Sequence, residues 1–274
     1  MDDSIKSMEL YPRPERLLSD LEALGFAGDG PVPVETVARF DQLHYHGTDA
    51  LDLAIERTGI DESSRVLDVG SGWGGCARWI AHRTGAHVTT VEMQADYDSI
   101  GRLLTERTGL TERVEHIHAD FLTFEPAPAA FTHVTSWLAL FHIPERERHL
   151  GTIADALESG GIFYAEDLYA LEPVPRHERT AFDARLFPNS LVAIDEYLAT
   201  LDAAALDVVT AHDMTADWTT FTADRLASFR ADRTDYERRH DPTTFAALER
   251  FYDGMAADFA CGFVGGLQVM ARKR

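Results

Sequence analysis

Asp68 stands two residues ahead of Gly70, at the end of the apolar run Val66-Leu67-Asp68-Val69, and Gly72, Gly74 and Gly75 follow. An apolar strand that ends in an acid and turns on glycines leaves backbone N–H groups bare, and a nucleotide can lie against them. Gly70 and Gly72 allow the sharp turn, with Ser71 between them. Gly74 and Gly75 let a helix expected over 76–83 pack close to the strand. Gly70, Gly72 and Gly75 also satisfy the dinucleotide pattern G-x-G-x-x-G, so the glycines alone name no ligand. Asp68 separates the alternatives: its carboxylate repels a pyrophosphate and attracts a cationic amino-acid tail. That chemistry favours S-adenosylmethionine over NAD.

Two further acids follow apolar runs in the same way. Val88-Thr89-Thr90-Val91 ends in Glu92, twenty-two residues after Gly70 and next to Met93. A carboxylate at such a strand tip accepts both ribose hydroxyls, a device that NAD enzymes share. The run from Val114 to Ala119 ends in Asp120-Phe121, which offers an acceptor for an adenine amino group and an apolar face for its ring. Each acid taken alone is more often a solvated strand end. Three in succession point to one ligand.

On these residues the chain resembles the class I S-adenosylmethionine-dependent methyltransferases, with Thr132-His133-Val134-Thr135-Ser136-Trp137 as the fourth strand and Leu157 to Asp167 as helix end, Gly-Gly turn and fifth strand. The resemblance is good over about residues 40–170. It implies S-adenosylmethionine as cofactor, with Glu92 at the ribose, Asp120 and Phe121 at the adenine, the turn from Gly70 to Gly74 at the methionine portion, and Met93 and Ser136 at the same site. Among its members, the chain looks most like small-molecule N-methyltransferases of the phosphoethanolamine and sarcosine/dimethylglycine type. In the phosphobase enzymes a His after the fourth strand works with a cap Tyr, which implies catalytic roles for His142 and Tyr45. Those enzymes carry Arg-Asp after the Ser of that strand, whereas Trp137-Leu138 stand here, a departure that speaks against a phosphobase substrate.

Methyl transfer from a sulfonium gains from alignment and from a dry site, and it needs a deprotonated nucleophile. The imidazole of His142, in Leu140-Phe141-His142-Ile143-Pro144, could orient or deprotonate an amine or hydroxyl near neutral pH. A packing role at a helix start fits its position equally. Trp137 offers an aromatic face to a cationic acceptor or packs in the core. His46, Tyr169 and Arg185 complete the expected acceptor side, with Arg185 and Arg225 available to a substrate carboxylate. The expected reaction is methyl transfer to a small-molecule amine. An O- or S-methyltransferase, an NAD-dependent oxidoreductase and a non-catalytic cofactor-binding module are the alternatives.

Composition bounds the rest. With 274 residues, 45% of them hydrophobic, the chain can bury one sizeable core. A net charge of −21 argues against nucleic acid, which is bound through clustered Lys and Arg. The charge itself reads as solubility or a saline habitat, or as attraction of cationic substrates. No run of eighteen apolar residues occurs and Met1-Asp2-Asp3-Ser4 lacks the order of a signal peptide, so a cytoplasmic protein without membrane partners is expected, with a homodimer compatible. Cys76 and Cys261 lack metal-ligand spacing and are read as small buried residues, and no metal is expected.

From Val66 onward strand and helix patterns alternate, the mark of a parallel sheet with helices on both faces. The expected fold is α/β, a Rossmann-like, seven-stranded, mostly parallel sheet. A helical cap over residues 1–50 precedes a methyltransferase domain over 51–274, with helical substrate-lid insertions at about 168–205 and 213–260.

Overall fold

A computed structural model describes residues 8, 10, 11 and 13–274. The expectation for Met1-Asp2-Asp3-Ser4 lies outside the described residues. Seven strands form one sheet in the order β3-β2-β1-β4-β5-β7-β6: β1 Arg65–Val69, β2 His87–Glu92, β3 Val114–His118, β4 Phe131–Trp137, β5 Leu157–Ala170, β6 Leu206–Asp213 and β7 Val264–Lys273. The first five run parallel, while β7 is antiparallel to β5 and to β6. β1 and β2 are buried along nearly their whole length because both of their faces are covered.

Helices α4 Gly75–Thr84, α5 Ala95–Arg107 and α6 Arg146–Ala156 connect the parallel strands. The chain order reverses between β1 and β4, whose register sets Asp68 against Thr135 and Val69 against Ser136. At such a switch point the two connections diverge and leave a crevice beyond the strand ends. The turn after β1, Glu92 at the end of β2 and the segment after β4 all border it.

In front of the sheet lie α1 Arg16–Ala23, α2 Val34–Val37 and α3 Gly47–Thr58. Behind β5 come α7 Arg176–Leu186 and α8 Ile194–Ala203, and between β6 and β7 come α9 Thr215–Ala231, α10 Arg233–Arg239 and α11 Pro242–Ala260. α11 starts where Asp241 accepts the Thr244 N–H at 2.9 Å and Pro242 takes a position that needs no donor.

Tyr197 and Leu201 of α8 are fully buried in the cluster that holds Leu67, Val134 and Leu206, so α8 is a sheet-flanking helix. Met8, Leu10 and Tyr45 from the front section share a second cluster with Phe141 and Leu168 of the sheet domain and with Trp218, Phe245, Leu248 and Phe251 of α9 and α11. Front section and late insertion therefore close on one another above the strand ends. Cys76 is buried as expected, but Cys261 is exposed where α11 ends.

Candidate active site

A cavity of about 710 Å³ opens at the carboxyl ends of β1, β2 and β4 and runs beneath the front section and α9–α11. Asp68, Gly70, Ser71, Gly72, Glu92, Met93, Asp120 and Phe121 line one end of it. Gly70 has φ +71, and a Cβ there would sit 2.4 Å from the Cβ of Ala139, so the position is closed to other residues both by backbone and by space. Glu92 is 7% exposed; Oε2 accepts the Gly72 N–H and Oε1 the Gln94 N–H, each at 2.8 Å. The carboxylate thereby ties the glycine turn to the end of β2. Asp120 accepts the Leu122 N–H at 2.9 Å, a local turn that holds it at the rim, and the Phe121 ring is buried beneath.

Asp68 is fully buried. The Thr135 hydroxyl donates to Oδ1 at 2.9 Å, and buried Oδ2 has no hydrogen-bond partner. Burial raises its pKa to about 7, opposed by the Thr135 hydrogen bond and helped by the nearby Glu92 charge. A buried acceptor without a donor is costly in the free protein, and an ammonium group is the kind of ligand that removes the cost. The donor set thus fits S-adenosylmethionine, whose ammonium would meet Asp68, ribose Glu92 and adenine Asp120 and Phe121.

A pH dependence follows from Asp68. Below pH 7 the free protein holds a proton there that an incoming ammonium must displace, so affinity for S-adenosylhomocysteine rises with pH up to about 7. Each unit below 7 costs up to about tenfold. Calorimetry between about pH 5.5 and 7.5 should show this slope, and Asp68→Asn should flatten it; an equal slope in the variant would exclude Asp68 as its source. The same raised pKa makes the charged form destabilising, so this group's contribution to stability is lost as pH rises from the unfolded value of 3.8 through 7.

His142 closes a 3-10 turn, Leu140–His142, that follows β4. Its Nδ1 lies 3.1 Å from the Phe187 carbonyl, which can only accept, so Nδ1 carries the proton and Nε2 the lone pair. Nε2 has no hydrogen-bond partner among the described residues, and the side chain lines the cavity. Burial lowers the His142 pKa to about 4, so the ring is neutral near pH 7. The turn is held from outside as well: Asn189 Nδ2 donates to the His142 carbonyl at 2.8 Å and the Ser190 hydroxyl to that of Leu140 at 2.9 Å.

Tyr45 reaches the same cavity, its ring 4.9 Å from Trp218 and 5.3 Å from Phe221, and burial keeps its phenol protonated. Trp137 lines the cavity with its ring between His44 and Tyr164, at 5.0 and 5.4 Å.

Five expected site residues do not line the cavity. Gly74 begins α4 with φ +73, and a Cβ there would face His116 at 2.8 Å, behind the turn. Ser136 is fully buried and donates to the Val69 carbonyl at 3.0 Å, joining β4 to β1. His46 is exposed and pairs with Asp217 at 2.5 Å. Tyr169 is buried against Gly265 and bonds Thr215 at 3.2 Å. Arg185 forks onto Asp258, Nε to Oδ2 at 2.9 Å, and is spent there.

The sequence reading also missed the far wall, which includes Leu248, Phe251, Tyr252 and Met255 of α11. Their i, i+3, i+4, i+7 spacing is the ordinary signature of a buried helix face. Nothing in that pattern tells a cavity wall from a core. A buried polar group behind Trp137 was missed too. His44 Nε2 donates to Gln42 at 2.9 Å, and its Nδ1 lies 4.0 Å from Glu166, whose pKa burial raises to about 7.

With this geometry in place, comparison with known proteins is direct. Residues 66–161 match the methyltransferase domain family. Methyltransferase GfsG of Streptomyces halstedii is 28% identical over 177 residues, 64% of either chain. Sterol 24-C-methyltransferase of Eremothecium gossypii is 34% identical over 135 residues, 47% of this chain and 36% of the relative. The alignments thus span less than two thirds of these relatives' lengths. Among solved structures, phosphoethanolamine N-methyltransferase 2 of Haemonchus contortus in complex with S-adenosyl-L-methionine superposes with a TM-score of 0.81 at 16% identity, covering 99% of this chain and 58% of that one. Over residues 66–161 the chain thus carries a methyltransferase domain, and its likeness to S-adenosylmethionine-dependent methyltransferases rests on that segment. No described helix is long and apolar enough to cross a membrane.

Proposed function

We propose that this chain methylates a nitrogen or oxygen of an apolar small molecule, with His142 receiving the acceptor's proton. Bound S-adenosylmethionine supplies an electrophilic methyl group on a sulfonium. Asp68, Glu92 and Asp120 hold that cofactor at one end of the cavity. The observation that carries the reading is the neutral His142, its tautomer set by the Phe187 carbonyl and its Nε2 lone pair in the same cavity as those three acids. An acceptor N–H or O–H pointing at Nε2 gains electron density as its proton moves to the ring. Tyr45 donates from its phenol and fixes the acceptor's orientation.

The nitrogen reading draws on the phosphoethanolamine enzyme's fold likeness; an acceptor hydroxyl is served by the same base. The apolar body is supported by Met8, Leu10, Phe141, Leu168, Leu248 and Phe251, all buried and all lining the cavity. Such a wall gains from burying hydrocarbon and offers little to a short polar amine. The front section and α9–α11 act as cap and lid, keeping water from the reacting atoms. A labelled-methyl screen tests the reading with apolar amines, phenols and alcohols beside sarcosine-sized amines. Label confined to the short polar amines would contradict it, as would preferential calorimetric binding of NAD over S-adenosylhomocysteine.

A further inference from the structure

The lid arginines are paired with unusual consistency. Arg230 meets Glu249 and Asp253, Arg233 meets Glu237, Arg238 meets Asp235, and Arg239 meets Asp232 and Asp20. Arg225 of α9 breaks the pattern. In a chain with 46 acidic residues, none of the described carboxylates lies within 4.0 Å of it. Its guanidinium instead sits in a box of rings, 4.7 Å from the centroid of Phe221, 5.3 Å from Tyr45 and 5.6 Å from Tyr252. One donor is used: Nη2 reaches the His44 carbonyl at 2.8 Å. The remaining donors have no acceptor among the described residues, and the side chain lines the acceptor cavity.

We propose that Arg225 receives an oxyanion, carboxylate or phosphate, carried by the otherwise apolar acceptor. The aromatic box supports the cation without neutralising it, and a planar fork matches a carboxylate or phosphate through paired charge-assisted hydrogen bonds. Acids that could compete from the cavity wall are engaged elsewhere: Asp41 by Arg78, Asp20 by Arg239 and His240, and Asp232 by Arg239. The same cation repels an ammonium, so the acceptor presents its nucleophile to His142 and its anion to α9. This deepens the proposed function and rests on the cavity being the acceptor chamber.

The test titrates decanoate, decyl phosphate, decanol and decylamine into the protein saturated with S-adenosylhomocysteine, after a separate titration of S-adenosylhomocysteine itself. At least one oxyanion probe should bind about tenfold or more tightly than decanol. R225M should remove that preference, R225K should keep part of it, and S-adenosylhomocysteine affinity should be unchanged in both. Carboxylate against phosphate identifies the group. Decanol or decylamine binding as tightly as the oxyanions in the unmodified protein overturns the proposal, as does a preference that survives R225M or the binding of no probe at all. The comparison within the unmodified protein stands even if R225M fails to fold. Failure of S-adenosylhomocysteine to bind would defeat the cofactor reading instead.

Discussion

Replacing His142 by alanine lowers turnover by about 10²–10⁴-fold and leaves affinity for S-adenosylhomocysteine largely unchanged. The separation of the two effects follows from where the ring is held. Nothing from the turn after β1 or from Glu92 hydrogen-bonds to His142; its partner is the Phe187 carbonyl, at the end of α7. Removing the imidazole deletes the group proposed to take the acceptor's proton and spares the glycine-turn end of the cavity. The pH profile carries a second signature. With a pKa near 4 the ring is already neutral at pH 6, so His142 contributes no acid limb near 6.5, the value of a free imidazole. Steady-state rates from about pH 5 to 8, with saturating methyl donor, check both points. Unchanged turnover in the alanine variant would remove His142 from the mechanism.

The second large effect is expected at Glu92. Alanine there removes the acceptor for the Gly72 and Gln94 N–H groups and, with them, the proposed ribose contact. A buried donor left unsatisfied costs about 1–3 kcal/mol, and a lost charge-assisted bond to a ligand costs a similar amount. Cofactor affinity should therefore fall by about one to two orders of magnitude, and the variant should also unfold at a lower denaturant midpoint. Glutamine separates the parts: it keeps a carbonyl oxygen for one N–H group and loses the charge, so it should recover stability more than affinity. Calorimetry with S-adenosylhomocysteine and urea titrations of both variants provide the numbers. An alanine variant with unaltered cofactor affinity would show that Glu92 holds only the turn.

The glycine turn and the acids at the strand ends were legible in the sequence because their parts are local. Asp68, Gly70 and Gly72 lie within five residues, and their types follow from backbone turns that few residues can make. Glu92 and Asp120 could be placed because strand tips in a parallel sheet fall on one edge whatever the side chains elsewhere. Gly74 and Ser136 lie in the same motifs yet miss the cavity, since a motif sets position along the chain and neighbouring helices set which face is free. His46, Tyr169 and Arg185 lie outside the cavity for a related reason: Asp217, Thr215 and Asp258, distant in sequence, claim them first.

By itself, then, the sequence determined the sheet, the glycine turn and the acids at the strand ends, because strand period, glycine backbone freedom and charge are properties of short stretches. Only the tertiary structure decided the acceptor half. Which nitrogen of His142 holds the proton depends on a carbonyl 45 residues away. Whether Arg225 finds a carboxylate depends on how α9 packs against the front section and α11. Both are outcomes of long-range packing, where groups compete for partners that no local spacing records.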